Sequence, residues 1–278
     1  MSSSLRILHL SDTHLFGDQT LHYGLVDTLA ATRRVLQSAG RMRDVDVVVA
    51  SGDLSDDGSP ASYRRLREVI EPWAADRGAL VVYAMGNHDN REAFEAVLGA
   101  RNRVLDVHGF RLISLDTSVP GAGYGAVDPG TLDRLAAELA APAENGTVVV
   151  AHHPPVPAGT ALLAALELQN ADALLRVCAG GDVRAILSGH YHHALATAAA
   201  GIPVIVAPGI ANTTDVLAPR GRERATMGAG FALVEIPERG SVRTAFVTAP
   251  GDDDGREIFD LDEAEVARIA ALAGVQPA

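Results

Sequence analysis

Metal-ligand residue types recur immediately after five short apolar runs: Asp12 and His14 after 5–10, Asp53 after 45–50, Asn87 after 79–84, His152 after 146–151, and His190 with His192 after 183–187. The runs are rich in β-branched residues and read as strands. A set of carboxylates, an amide and imidazoles without thiolate suits iron or manganese, with zinc also compatible, and excludes soft cysteine-rich sites. Seven ligands exceed what one ion with an open position takes, so the pattern predicts two ions, with Asp53 as the natural bridge. Two such ions, about 3.5–4 Å apart, acidify the water between them and clamp phosphoryl oxygens, which is the chemistry of phosphoester hydrolysis. His88 and His153 each adjoin a ligand without sharing its frame. They are the candidates for proton transfer and phosphate contact, with Asp89 placed to orient His88.

One Gly-Asp or Asn-His after a strand is ordinarily a turn. Five such events at strand ends, all with compatible ligands, are hard to reach by turn chemistry. His9, His22, His108 and His193 lack the ligand frame and are read as structural or solvated. Tyr124 and Asn212-Thr213-Thr214 are rim candidates for base recognition, against a simpler turn role. Gly121 to Ala126 satisfies the loose dinucleotide pattern G-x-G-x-x-A, but no βαβ unit opens there, so it reads as a flexible rim loop.

The elements that position these residues follow from periodicity. Helical patterns near 25–39, 60–76, 91–98, 131–140 and 161–178 alternate with the apolar runs, which predicts crossover units and a largely parallel sheet in an α/β fold. Strand carboxyl ends line the ligand crevice of such sheets, so the five clusters are expected to converge. From 195 onward only strands appear, at 196–200, 202–207, 230–236 and 241–248, and these predict a second, antiparallel sheet packed on the first. Residues 1–250 read as one domain and 251–278 as an acidic linker with a C-terminal helix. Asp262 with Glu265 resembles a capping box, Val266, Ile269 and Leu272 form a stripe, and Gly274 ends it.

The chain has 278 residues, with 23 basic residues, all arginine, against 35 acidic ones, for a net charge of −12. That balance provides no footprint for a nucleic acid polymer and argues against a nuclease. A phosphate must instead be attracted locally, by the ions. The single cysteine, Cys178, cannot form an intramolecular disulfide; it reads as a buried structural thiol and favours the cytoplasm. The N-terminus lacks a signal-peptide pattern, and the longest apolar stretch, 194–211, is broken by glycine and proline, so no transmembrane helix is expected.

Taken together, Asp12-x-His14, Gly52-Asp53, Gly86-Asn87-His88-Asp89, His152 and Gly189-His190-x-His192 resemble the five-block signature of calcineurin-like metallophosphoesterases, over residues 5 to about 210. Tyr63 to Arg67, Leu115 to Gly121 and His152 to Pro157 are similar to segments of the actinobacterial class III cyclic nucleotide phosphodiesterases. The resemblance implies a four-layer α-β-β-α sandwich with two mixed β-sheets and a homodimer. It implies hydrolysis of 3′,5′-cyclic nucleotides such as cyclic AMP to nucleoside 5′-monophosphates at a two-metal centre. A broader phosphodiesterase acting on 2′,3′-cyclic nucleotides or glycerophosphodiesters is the alternative. Carried over by motif, Asp12, His14, Asp53 and His192 would hold one ion, and Asp53, Asn87, His152 and His190 the other, with His88 facing the phosphate. The chain departs from its relatives at Gly121 to Gly125, where they carry extra histidines, and in a shorter tail. Retention of every ligand disfavours a non-catalytic scaffold.

Overall fold

The structure, a computed structural model, describes residues 4–274. Residues 1–3 of the N-terminal stretch and 275–278 of the predicted C-terminal segment lie outside the described residues. In chain order, the first half-layer is built by β1 (Ser4–Leu10), α1 (Thr28–Ser38), β2 (Val47–Ala50), α2 (Pro60–Ala75), β3 (Leu80–Tyr83) and α3 (Arg91–Leu98). Then come β4 (Arg103–Val107), β5 (Phe110–Leu115), α4 (Pro129–Leu139), β6 (Thr147–Ala151), α5 (Ala161–Ala165), α6 (Ala171–Ala179) and β7 (Val183–Ser188). The remainder is β8 (Leu195–Ala199), β9 (Ile202–Val206), β10 (Thr213–Thr214), β11 (Glu223–Thr226), β12 (Gly230–Pro237), β13 (Arg243–Thr248), β14 (Glu257–Leu261) and α7 (Glu263–Ala273).

Two mixed sheets face each other, with orders β13-β12-β1-β2-β3 and β4-β5-β6-β7-β9-β8. The period of two along each strand shows the layering. Leu5, Ile7, Val47 and Val49 point inward and meet Val148, Val150, Ala185 and Leu187 of the other sheet. Their neighbours Leu8, Leu10, Val48 and Ala50 point outward against Val35, Tyr63, Leu66 and Phe94 of the helices. On the opposite side Val149 and Ile186 pack under Leu135, Leu174 and Cys178. The result is the four-layer α-β-β-α arrangement, in which each fully buried Val or Leu contributes about 1.5–3 kcal/mol.

The separate sheet expected from 196–200, 202–207, 230–236 and 241–248 does not form. β8 and β9 extend the sheet of β5–β7, with β9 parallel to β7, whereas β12 returns to pair antiparallel with β1. A short third sheet, β10-β11-β14, was not expected. The predicted 161–178 helix is broken into α5 and α6, because residues between them turn outward to bond the rim loop: Gly125 N donates to Glu167 O and Gln169 N to Gly125 O. Residues 251–255, read as a linker, form a tight turn held to the body by Gly255 N donating to Met227 O. The C-terminal helix has the expected capping box, although Val266 is its sole buried residue and Leu272 is 69% exposed.

Local signals set the helix starts. Asp27, Ser59, Asn90 and Asp128 each accept a backbone N–H of the first turn, and Pro60 and Pro129 open their helices. Cys178 is buried, and burial pushes its thiol up to about 12. The native protein is therefore expected not to react with Ellman's reagent, while the denatured chain reacts fully; fast labelling of the native protein would contradict this packing. Among the described residues no helix is long and apolar enough to cross a membrane.

Candidate metal centre

The five ligand clusters all lie at strand carboxyl ends, but from both sheets: β1, β2 and β3 on one side, β6 and β7 on the other. The chain leaves these strands in tight turns. Asp12, His14, Asp53, His190 and His192 all have positive φ, from 43° to 69°, an arrangement that costs energy and is characteristic of functional sites. Gly52, at φ +109, has no room for a side chain: a Cβ there would lie 2.3 Å from His152 Nδ1. This is why Gly precedes Asp53.

Asp12, His14, Asp53 and His192 bring one donor atom each within 4.8 Å of one another. His14 Nε2 and His192 Nε2 are 3.2 Å apart. His192 Nε2 is 3.3 Å from Asp12 Oδ1, and His152 Nε2 is 3.3 Å from Asp53 Oδ2. The outer nitrogen of every ligand histidine is engaged: His14 Nδ1 by Asp56 Oδ1 at 2.9 Å, His152 Nδ1 by Ser51 O at 2.9 Å, His190 Nε2 by Leu166 O at 3.0 Å, and His192 Nδ1 by Asn212 Oδ1. Each of these partners is an oxygen acceptor, so the ring proton belongs on the outer nitrogen and the lone pair points inward. Asn87 Oδ1 and His152 Nε2 are buried without a hydrogen-bond partner. Lone pairs and carboxylates facing one another are what metal cations satisfy.

The electrostatics agree. Burial would raise the Asp53 carboxyl, but His152, His88 and His14 hold it well below the usual carboxylate range. Burial would lower His152, yet the carboxylates of Asp53 and Asp12 push it up to about 9. Burial brings His14 down to about 4 and His190 down to about 3. Such opposed perturbations in one cleft mark a functional site.

Four expectations change. His153 is fully buried, with Nδ1 2.7 Å from Thr117 Oγ1 and Nε2 3.1 Å from Gly123 O. With both nitrogens taken by the protein it backs His190, ring centroids 4.4 Å apart, instead of contacting a phosphate. Asp89 does not orient His88: its carboxylate accepts the amides of Gly86, Leu54 and Ser55, tying the β2 and β3 turns together. Burial and the charge of Asp53 raise it to about 6. The acid facing His88 is Asp56, with 3.6 Å between Oδ1 and His88 Nδ1. Sequence reasoning passes over Asp56, three residues after Asp53, because Ser-Asp-Asp-Gly reads as a turn. His22, read as structural, joins His14 and Asp56 in a cluster, and Asn212, a candidate for base recognition, instead fixes His192. His88, by contrast, has a side chain 44% exposed on the open side of the centre.

Residues 5–194 match the calcineurin-like phosphoesterase family. The chain is 42% identical to a cAMP/cGMP dual specificity phosphodiesterase of Mycobacterium tuberculosis, over 83% of this chain and 75% of that one. It is 39% identical to a probable cyclic nucleotide phosphodiesterase of Rhodococcus erythropolis, over 97% and 91%. Among solved structures it is similar to a dimetal phosphatase from Danio rerio, with a TM-score of 0.58 and 15% identity, covering 88% of this chain and 99% of that one. A purple acid phosphatase from yellow lupin seeds gives a TM-score of 0.62 at 13% identity, covering 100% and 57%. The latter two likenesses are of fold.

Proposed function

The chain belongs to the calcineurin-like phosphoesterase family, and from this premise we propose that it is a two-metal phosphodiesterase converting 3′,5′-cyclic nucleotides, cyclic AMP foremost, to nucleoside 5′-monophosphates. The observation that carries the reading is the orphaned, buried Asn87 Oδ1 beside a ring of inward-facing imidazole lone pairs. The choice of substrate is supported by the likeness to the mycobacterial and rhodococcal proteins over most of the chain.

Asp12, His14, Asp53 and His192 would hold one ion and Asp53, Asn87, His152 and His190 the other. When bound, such a pair supplies Lewis-acid polarisation of the phosphoryl group and an acidified water. The protein's own residues do the rest. Asp56, Ser51, Leu166 and Asn212 lock the imidazoles in the tautomer that binds, and His88 N donates to Asp53 Oδ1 at 2.9 Å, holding the bridge in place. The exposed His88 ring donates a proton or hydrogen bond to the departing ribose oxygen. Iron or manganese as the metal and a homodimer as the assembly belong to the same reading; elemental analysis and light scattering test them.

The decisive measurement is kcat/KM of manganese-loaded protein for cyclic AMP with chromatography of the product, using an activated aryl phosphodiester as reference. Turnover to AMP at an efficiency comparable to the reference is expected. Cleavage of the aryl ester alone would overturn the substrate and leave the centre. Asn87→Ala serves as the blank and is expected to lose one ion and nearly all turnover with an unchanged far-ultraviolet spectrum. His88→Ala is expected to keep both ions and to lose about 10²- to 10⁴-fold on cyclic AMP, far less on the aryl ester, whose leaving group needs no proton. Equal losses on the two would exclude the proton-donor role.

A further inference from the structure

The turn at 21–26 carries two adjacent aromatic side chains, one buried and one exposed. His22 is buried against His14, with ring centroids 4.8 Å apart. Tyr23 stands 59% exposed, edge-on to His22 at 4.4 Å, and Phe259 of β14 supports it at 5.1 Å. Asp56, 3.4 Å from His22 and 3.6 Å from His88, places this turn beside the imidazole that faces substrate.

Tyr23 and Gly24 have φ of 51° and 69°, and Leu25 N donates to His22 O at 3.1 Å, the geometry of a primed two-residue turn. Asn, Asp or Gly takes the first position of such a turn cheaply, whereas a bulky tyrosine there is strained. Among the described residues eight non-glycines have positive φ. Five are candidate ligands of the centre, and the other three, Tyr23, His108 and Ala200, each precede a positive-φ glycine in a tight turn. Tyr23 differs from the other two in its place: its ring meets His22, which packs against His14 and lies 3.4 Å from Asp56.

A cyclic nucleotide presents a flat π surface on the far side of the ribose from its phosphorus, and aromatic stacking is the common, sequence-tolerant way to bind such a surface. We propose, on the basis of the cyclic-nucleotide reading above, that Tyr23, backed by Phe259, is the stacking platform for the substrate's nucleobase. The C-terminal strand β14 is then part of the substrate site and not a tail.

AMP and ribose 5-phosphate share sugar and phosphate and differ by the base, so their inhibition constants against the aryl phosphodiester reaction isolate the platform. In the unaltered protein AMP is expected to bind about 10- to 100-fold more tightly than ribose 5-phosphate. Tyr23→Ala is expected to erase that ratio, Tyr23→Phe to keep it, and Phe259→Ala to reduce it. Equal inhibition by the two compounds in the unaltered protein, a comparison that needs no variant to fold, overturns the proposal, as does a ratio that survives in Tyr23→Ala. If cyclic AMP is not hydrolysed but AMP still wins through Tyr23, the reaction fails and the platform stands. If cyclic AMP is hydrolysed while the two inhibitors tie, the platform fails and the reaction stands.

Discussion

Asp53→Asn is expected to release both ions and to lower kcat/KM on any phosphodiester by about 10³-fold or more, with the fold retained. Asp53 sits on the turn after β2 at φ 47°, a conformation that Asn adopts as readily as Asp, so the backbone has no reason to move. Its Oδ1 accepts the His88 amide at 2.9 Å, a bond the Asn carbonyl can keep. The change falls on Oδ2, which lies 3.3 Å from His152 Nε2 and 3.7 Å from His14 Nε2, between the two ligand groups. An NH₂ in its place cannot ligate a cation and removes the one negative charge both ions would share. The loss of several kcal/mol of charge stabilisation converts, at about 1.4 kcal/mol per tenfold, to the expected factor. Elemental analysis with circular dichroism is the check, and two ions retained per chain would disprove the bridging role.

Gly86→Ala is expected to be nearly as damaging to activity and also to lower stability. A Cβ at residue 86 would lie 2.2 Å from Asp53 Oδ1 and 2.4 Å from Asp53 N. The second contact is backbone and cannot swing aside, so either the β3 turn or the bridging aspartate must shift, at about 1–3 kcal/mol. Gly78→Ala is the control, since its added Cβ meets nothing within 4 Å and only φ of +68° opposes it. That variant is expected to lose about 1 kcal/mol with activity unchanged. Thermal unfolding and metal content of the two variants separate steric displacement of the centre from ordinary glycine strain; a fully metallated Gly86→Ala would refute the close-contact account.

Both variants act on a candidate centre whose side chains stand out in the sequence. Asp12, His14, Asp53, Asn87, His152, His190 and His192 stand within a few positions of a strand end. The partners of those ligands are harder to read. Asn212 lies 20 residues from the His192 it orients, and Asp56 lies 42 from His14. Ser-Asp-Asp-Gly and Asn-Thr-Thr are turn compositions whatever they touch. His153 shows the converse: proximity to His152 in sequence suggests a place near the substrate, while alternation along the chain turns it toward Thr117 and Gly123 instead.

The sequence by itself determined that these His, Asp and Asn side chains follow the carboxyl ends of strands, because that depends on local patterns: β-branched runs and a Gly-Asp or Asn-His turn. Only the tertiary structure decided that the centre lies between two sheets, with Asp12, Asp53 and Asn87 on one and His152, His190 and His192 on the other. That division depends on β12 pairing with β1, where Leu5 meets Ile236, and on β9 pairing with β7. An apolar strand satisfies its hydrogen bonds beside any edge of matching register, so the choice is made by how the inner faces pack against each other, which short-range pattern does not encode.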